Sequence, residues 1–171
     1  MRLASSDNFD KLIYCVGGMS WQDYIDTQLV ATGDVNQAFM VGITDAQVWA
    51  HTPSFMPRVY KAMVTQEDGT EKEEVINEAS IIVHVAETLK KPSEGLRING
   101  VKYMPLRTYP KGSSDDGLPT IYFKKPKTGG CICVLNQCII VGTFDEKKEQ
   151  NASACNFAVE SLSRYLFQNG Y

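Results

Sequence analysis

The feature of this chain that most constrains its fold is a series of short strand-like segments, separated by turn signals and flanked by helical segments. The clearest hairpin has strands at Leu96–Ile98 and 102–106 around Asn99-Gly100. Asn-Gly favours the positive φ angles that a two-residue hairpin turn requires. Strands joined by such short turns are antiparallel, so we expect a central antiparallel sheet.

The remaining strand signals extend this pattern through most of the chain. Alternating or β-branched segments predict strands at residues 38–43, 48–50, 59–65, 73–76, 120–125, 131–135 and 138–145. Turn residues predict connections at Thr44-Asp45, 67–70, Gly129-Gly130 and Asn136-Gln137. The sequence of residues 77–89 is ambiguous, since its start suits a helix and its end suits a strand, and residues 108–119 are expected to form a loop rich in Gly, Ser and Asp.

An amphipathic helix is predicted near each end of this series. Ser20 and Asp23 have the spacing of a capping box, which predicts a helix that runs to about Thr32. A second helix is expected over residues 153–169, with Gly170 at its carboxyl-terminal stop. Because both helices have an apolar stripe to bury, the simplest arrangement places them on one face of the sheet.

Two aromatic residues of the first helix raise the question of which way they face. Ile25 lies on the stripe that suits the core, whereas Trp21 and Tyr24 lie on an adjoining stripe. If the two helices lie side by side, Trp21 and Tyr24 can meet Tyr165 and Tyr171 in one aromatic surface. Periodicity alone favours a simpler interpretation, in which these rings cover an edge of the sheet.

Composition limits the class of protein. The 171 residues have a net charge of −3 and a pI near 5.4, which argues against a general nucleic-acid binder. No apolar run approaches the ~20 residues of a membrane helix, so we expect no transmembrane segment and a cytoplasmic location. Residues 1–18 do not fit a signal peptide and are expected to form a flexible extension, with the folded domain at 19–171.

Neither metal binding nor catalysis is indicated. Cys131, Cys133 and Cys138 have a C-x-C-x4-C spacing that matches no zinc pattern, and His51 and His84 lie far away in sequence. Strand alternation places Cys131 and Cys133 on one face, as reduced packing thiols. Without a P-loop, G-x-S-x-G or HExxH motif, we expect no enzyme activity, no cofactor and no structural disulfide.

Six segments, taken in order, resemble the profilin family across residues 19–171: MSWQDYIDTQL, VWAHTPSF, GLRINGVKYM, KKPKTGG, NQCIIVGTFDE and VESLSRYLFQNGY. Each is weak alone, but their joint order is specific. The resemblance implies an α+β fold: a profilin-like central antiparallel sheet with N- and C-terminal helices packed on one face and shorter helical segments on the other. Residues 59–76 resemble the β-hairpin arm insertion of apicomplexan-type profilins, and EDGTEKEE offers little apolar surface to bury.

The resemblance also implies two binding surfaces. Profilins bind proline-rich segments in an aromatic groove, where Trp N–H and Tyr O–H groups can donate to the free carbonyls of a polyproline II helix. Positions that match this groove are Trp21, Tyr24, Trp49, Tyr165, Leu166 and Tyr171. Monomeric actin binds a second surface, matched by Arg107, Lys124, Lys125, Asn151, Asn156 and Phe157. On this basis Trp21 and Tyr24 are expected to face a ligand, with their inner edges on the sheet.

These surfaces imply an actin-monomer-binding cytoskeletal regulator that binds proline-rich proteins such as formins and delivers actin for filament assembly. Phosphoinositides are a further implied ligand, for which the basic cluster at residues 124–127, with Arg107 or Lys111, offers positive charge. The alternative is a longin- or roadblock-like trafficking scaffold, which also packs helices on a sheet. Binding to a polyproline resin separates the two, because such a scaffold has no reason to be retained.

Overall fold

The computed structural model describes residues 18–111 and 117–171, and its centre is an antiparallel sheet. The strands in chain order are β1 Gln37–Gly42, β2 Val48–His51, β3 Val59–Thr65, β4 Glu71–Asn77, β5 Leu96–Ile98, β6 Val101–Tyr109, β7 Thr120–Lys125, β8 Thr128–Val134 and β9 Cys138–Asp145. Seven of them form the main sheet in the order β2-β1-β9-β8-β7-β6-β5, while β3 and β4 form a separate hairpin. The predicted hairpins are confirmed.

The described residues also form three helical regions. The first, α1, is composite: an α-helical turn Trp21–Asp23, a π-helical segment Tyr24–Leu29 and a 3-10 turn Val30–Thr32. The second, α2, spans Glu78–Thr88, and the third, α3, spans Ala152–Gln168. A short 3-10 turn, Glu146–Lys148, precedes α3.

The first helix begins as the sequence predicts. Ser20 Oγ accepts a hydrogen bond from the Asp23 backbone N–H at 3.0 Å, and the Asp23 carboxylate accepts one from the Ser20 N–H at 2.9 Å. This reciprocal capping box also lowers the pKa of Asp23. The sequence did not indicate the π-helical segment, within which the Thr27 hydroxyl donates to the Asp23 carbonyl at 2.7 Å.

The last helix is fixed at both ends. Asn151 caps its start by accepting a backbone N–H of the first turn at 2.9 Å, so α3 begins at Ala152, one residue before the predicted start. At the other end Gly170 has φ of 95°, and the N–H groups of Gly170 and Tyr171 each donate back to the last turn at 3.1 Å. This is a Schellman motif, and it confirms the predicted stop at Gly170.

The two faces of the sheet carry separate apolar cores. On one face, α1 and α3 bury Ile25 and Val159 against the sheet, and Cys131 and Cys133 join this core as strand alternation predicts. On the other face, α2 and the β3–β4 hairpin pack over the strands and bury Ile82. The predicted α+β class, with the terminal helices together on one face and a shorter helix on the other, is therefore confirmed.

The β3–β4 hairpin has one buried and one exposed face. Val64 and Ile76 point inward and are buried in the core beneath α2, whereas Val59, Met63 and Val75 point outward and are exposed. Successive strand residues alternate between faces, so a charged, alternating sequence can still bury every second side chain. The segment EDGTEKEE has no apolar side chain, as expected, but Val64 and Ile76 on either side of it make the arm part of the core.

A buried carboxylate fastens the hairpin to the main sheet. Glu78 is fully buried, and its carboxylate accepts the N–H of Arg58 at 2.9 Å, the hydroxyl of Tyr60 at 3.0 Å and the N–H of Gly100 at 2.7 Å. Three donors compensate the cost of removing the charge from water. Because Gly100 lies in the β5–β6 turn, Glu78 joins the base of the hairpin to that turn.

Residues 77–89 do not end as a strand. They form α2, whose start is capped by Asn77 Oδ1 accepting the Ser80 N–H at 3.2 Å. The β-branched run in this segment suits a strand by intrinsic preference, but Ile81 and Ile82 are buried against the sheet. Tertiary packing therefore overrides the local preference.

The turn between β7 and β8 lies earlier than predicted. It is formed by Pro126 and Lys127, with Lys127 at φ of 64°, while Gly129 and Gly130 lie inside β8. A Cβ at Gly130 would lie 1.9 Å from the Gly142 carbonyl oxygen. Glycine is required there by the close approach of two strands rather than by a turn.

Two predicted segments lie partly outside the described residues: 1–17 of the predicted extension and 112–116 of the predicted loop. β6 continues to Tyr109, so the loop begins later than expected. Among the helices of residues 18–111 and 117–171, none is long and apolar enough to cross a membrane.

The two faces of the hairpin should respond differently to truncation. Ile76→Ala is expected to lower the free energy of unfolding by about 2–5 kcal/mol, because it leaves a cavity in the core. Met63→Ala, at a position that is 56% exposed, is the control and should change it by less than about 0.5 kcal/mol. Equal, small effects in denaturant unfolding would show that the hairpin is independent of the core.

Candidate functional site

Five aromatic side chains meet where α1, α3 and the β1–β2 edge come together, and we call this group the aromatic shelf: Trp21, Tyr24, Trp49, Tyr165 and Tyr171. The Trp21 ring centroid lies 4.8 Å from that of Trp49 and 5.0 Å from that of Tyr171, to which it is nearly perpendicular. Tyr24 lies 6.4 Å from Trp21 and 6.2 Å from Tyr165. These are contact distances for aromatic pairs.

Burial differs sharply across the shelf. Trp21 and Tyr24 are each only 2% exposed, and Leu166 beneath them is fully buried. Tyr165 is 44% exposed, and Trp49 and Tyr171 are half-buried. Trp21 and Tyr24 are thus packed more deeply than an inner edge on the sheet requires, and Tyr165 and the two half-buried rings form the accessible surface.

Gln22 fixes α1 to the edge strand β2. Its amide nitrogen donates to the His51 carbonyl at 2.9 Å, and its amide oxygen accepts the His51 N–H at 3.3 Å. The side chain thus pairs with β2 as a neighbouring backbone would. Gln22 follows Trp21, and His51 lies two residues after Trp49. The hydrogen bonds between Gln22 and His51 therefore set the distance between the two indole rings.

The chain end is held in the same way. The Tyr171 carbonyl accepts the Asn136 N–H at 3.3 Å, and the Gln137 side chain donates to the Gly170 carbonyl at 3.2 Å. The predicted Asn136-Gln137 turn is therefore confirmed and also positions the last residue of the shelf.

Trp49 lies across a glycine of the neighbouring strand. A Cβ at Gly42 would be 2.8 Å from Trp49 Nε1 and 2.6 Å from an Asp45 carboxylate oxygen. Because Gly42 has no side chain, the indole of Trp49 can pack beside it on the hairpin.

The buried indole of Trp21 has an unused donor. Its Nε1 is buried and has no hydrogen-bond partner among the described residues. Buried polar groups in folded proteins are nearly always paired, and leaving one unpaired costs about 1–3 kcal/mol. The shelf thus contains a donor that a ligand carbonyl can satisfy.

A groove of about 540 Å³ continues from the shelf between α1 and α3, and we call it the inter-helix groove. Tyr24 and Tyr165 lie at the shelf end, and Phe157 and Asp34 also line it. Its size is that of a ligand-binding cleft. The sequence did not indicate this groove, because it depends on how the two helices pack.

A second candidate surface lies on the α3 side of β6 and β7. Arg107 is opposite Tyr122 in the ladder and donates to the Tyr109 hydroxyl at 3.0 Å. Tyr109 contacts Tyr122 edge to face with ring centroids 5.6 Å apart, and Tyr122 donates to the Glu160 carboxylate of α3. Burial, together with this carboxylate, raises the pKa of Tyr122 above its ordinary value.

The six residues that match the family's actin surface are not brought together as one group. Lys124 lies on the α3 side with Tyr122, and Glu146 is 4.0 Å from its ammonium. Lys125 alternates to the opposite side, which it shares with the buried Phe123. Strand geometry therefore separates Lys124 and Lys125, which both match the family's actin surface, onto opposite sides of the sheet.

The remaining three matching residues have separate environments. Asn151 caps α3, as described above. Asn156 is half-buried, and its Oδ1 has no hydrogen-bond partner among the described residues. Phe157 is 67% exposed and lines the inter-helix groove rather than the Arg107 surface.

Sequence reasoning missed Tyr109, Tyr122 and Glu160 on the second surface. Strand alternation in TIYFKK could have placed Tyr122 on the face of Lys124. Its partnership with Glu160 joins residues that are far apart in sequence, and no local pattern indicates it.

The cysteines of the described region are all packing residues. Cys131, Cys133, Cys138 and Cys155 are buried and carry reduced thiols. Burial raises the pKa of Cys155 to about 12, so its thiol is a poor nucleophile at neutral pH. Within residues 18–111 and 117–171, no group of three or more His, Cys, Asp or Glu side chains is placed to hold a metal ion.

The first and last helices lie side by side on one face of an antiparallel sheet, and aromatic rings lie at their junction. These features define a class of small domains in which helices pack on a sheet. A sequence model described as Profilin matches residues 19–171. Profilin-P of Physarum polycephalum is 33% identical over 157 residues, which cover 90% of this chain and 100% of that protein. The chain belongs to the profilin family.

Solved structures agree with this assignment. Acanthamoeba castellanii profilin IB matches with a TM-score of 0.63 and 29% identity, across 89% of this chain and 100% of the other. Mouse profilin IIa, solved in complex with a double repeat from the FH1 domain of mDia1, matches with a TM-score of 0.55 across 88% and 99% of the two chains. At 20% identity the mouse structure supports the fold alone.

Proposed function

We propose that this protein binds proline-rich segments on the aromatic shelf and monomeric actin on a separate surface, as a cytoskeletal regulator that delivers actin for filament assembly. It acts by binding rather than by catalysis. Family membership supports the proposal in general, and the unused Trp21 donor supports the proline-rich ligand in particular.

The chemistry of the shelf suits a polyproline II helix. Such a helix has no internal hydrogen bonds, so its carbonyls remain available as acceptors, and its rings present flat apolar faces. Tyr165, Trp49 and Tyr171 offer the accessible aromatic faces, and Trp21 Nε1 offers the donor. Because Tyr171 packs edge-on against Trp21 at 5.0 Å, its side chain must move for a carbonyl to reach Nε1.

Formins are the partner class that this ligand chemistry suggests. The mouse profilin IIa structure contains a repeat from an FH1 domain, and this chain shares that protein's fold. Gln22 holds α1 against β2, and the backbone of Tyr171 is held by its bond to Asn136, so the rearrangement on binding is confined to the Tyr171 side chain. A groove that is ordered before binding loses less entropy when a ligand binds.

The actin surface is proposed to lie on the α3 side of β6 and β7. Arg107, Tyr109, Tyr122 and Lys124 form a continuous polar and aromatic patch there, beside the exposed side chain of Met104. Lys124 can attract an acidic partner surface, and an aromatic centre with a charged rim is typical of protein interfaces.

A basic corner is the proposed site for phosphoinositides. The Glu146 N–H donates to the Lys127 carbonyl at 3.0 Å, which brings Lys147 and Lys148 beside the β7–β8 turn. Clustered lysines attract anionic headgroups, although Glu146 partly offsets Lys124. Co-sedimentation with phosphoinositide vesicles, compared with vesicles of neutral lipid, tests this part of the proposal.

Proline-rich binding is tested best at Tyr165. Trp21→Ala would also remove a buried ring and cost about 3–5 kcal/mol of stability, which confuses the result. Tyr165→Ala changes an exposed side chain. Because it removes one aromatic anchor, it is expected to weaken binding of a proline-rich peptide about thirtyfold, as measured by calorimetry. Met63→Ala is the control, and unchanged affinity in Tyr165→Ala would contradict the assignment.

Actin binding is tested by two neighbouring charge reversals. Lys124→Glu is expected to weaken binding of monomeric actin at least about tenfold at low salt, because it opposes like charges. Lys125→Glu, on the other side of the strand, is the matched control and should stay within about twofold. Both variants should bind the proline-rich peptide normally. An equal loss in the two variants would place the actin surface elsewhere.

A further inference from the structure

We propose that the inter-helix groove binds the residues that flank the proline run of a proline-rich partner. The occupant is an extended, apolar segment of about four residues that ends in lysine or arginine. This inference rests on the proposed binding of proline-rich segments to the aromatic shelf, and it deepens that proposal by naming a feature of the partner sequence.

The first argument is continuity between shelf and groove. Tyr24 and Tyr165, with ring centroids 6.2 Å apart, belong to the shelf and also line the groove. A peptide that crosses the exposed ring of Tyr165 therefore enters the groove without crossing another element of the described residues. No turn in the ligand is needed.

The second argument is length. Phe157 and Tyr165 lie eight residues apart on α3, which corresponds to about 12 Å along the helix axis. A polyproline II chain advances ~3.1 Å per residue, so about four residues span this distance. The groove thus matches a short extension of the ligand rather than a second proline run.

The third argument is the apolar wall. Ala158 and Leu162 of α3 lie between the two aromatic positions and line the groove. Phe157, at 67% exposed, is a large ring left uncovered at the far end. Apolar ligand side chains laid along this face would bury Phe157 and gain the usual hydrophobic free energy.

The fourth argument is charge. Among the described residues that line the groove, Asp34 alone carries a charge, and its carboxylate makes no hydrogen bond or ion pair with any described residue. Lys148, on the turn before α3, donates instead to Asn36 at 2.6 Å. A cation on the ligand, placed at the Phe157 end, would therefore find an available acceptor in Asp34.

The test uses peptides that differ only in their flanks. One peptide is a proline run alone. Two others add a four-residue apolar extension ending in arginine, at the amino or the carboxyl end, and two matched peptides end in glutamate instead. Calorimetry with the full chain should show one arginine-ended peptide binding about fivefold more tightly than the proline run, and its glutamate counterpart showing no gain.

Variants of groove residues test whether the gain in peptide affinity arises in the inter-helix groove. Phe157→Ala and Asp34→Asn should each abolish the fivefold gain and leave affinity for the proline run within about twofold. Met63→Ala, which truncates an exposed side chain on the β3–β4 hairpin, should preserve the gain.

The possible failures are distinguishable. If the wild-type chain does not bind the proline run, the proposed function is wrong and this inference is wrong with it. If the proline run binds but neither arginine-ended peptide binds more tightly, the groove inference alone is overturned. A gain that survives in both Phe157→Ala and Asp34→Asn also overturns it.

Discussion

The position of α3 depends on one close contact with the sheet. A Cβ at Gly142 of β9 would lie 2.4 Å from Val159 Cγ2, so only glycine lets the helix lie directly on this strand. Val159 is fully buried at the contact. Because α3 carries Tyr165 to the shelf, Phe157 to the groove and Glu160 to the second surface, this packing sets the geometry of all three.

The shelf depends in addition on bonds that cross between elements. Gln22 pairs α1 with the edge strand β2, and the chain end is tied to the β8–β9 turn. These contacts fix the backbone of the shelf before any ligand binds, while Trp21 Nε1 has no hydrogen-bond partner within residues 18–111 and 117–171. Aromatic walls around an unsatisfied donor favour a ligand rich in carbonyls and poor in flexible side chains.

The sequence predicted what local rules determine. The capping box at Ser20, the Asn99-Gly100 hairpin and the stop at Gly170 all follow from short-range geometry, and all three are present. It did not predict features that depend on residues distant in sequence. Gly130, for example, lies within a strand because its close approach to Gly142 leaves no room for a side chain. The burial of Trp21, the pairing of Tyr122 with Glu160 and the groove beside Phe157 likewise depend on packing between elements, which local periodicity does not contain.

The central claim is that a ligand carbonyl accepts the indole N–H of Trp21. The chain has two tryptophans, so its ¹⁵N-labelled protein gives two indole signals, and Trp49→Phe assigns them. On saturation with a proline-rich peptide, the Trp21 indole proton is expected to move downfield and to exchange more slowly with water, because it gains an acceptor. A Trp21 indole signal that stays unchanged in position and exchange, while the peptide is shown to be bound, would contradict the account.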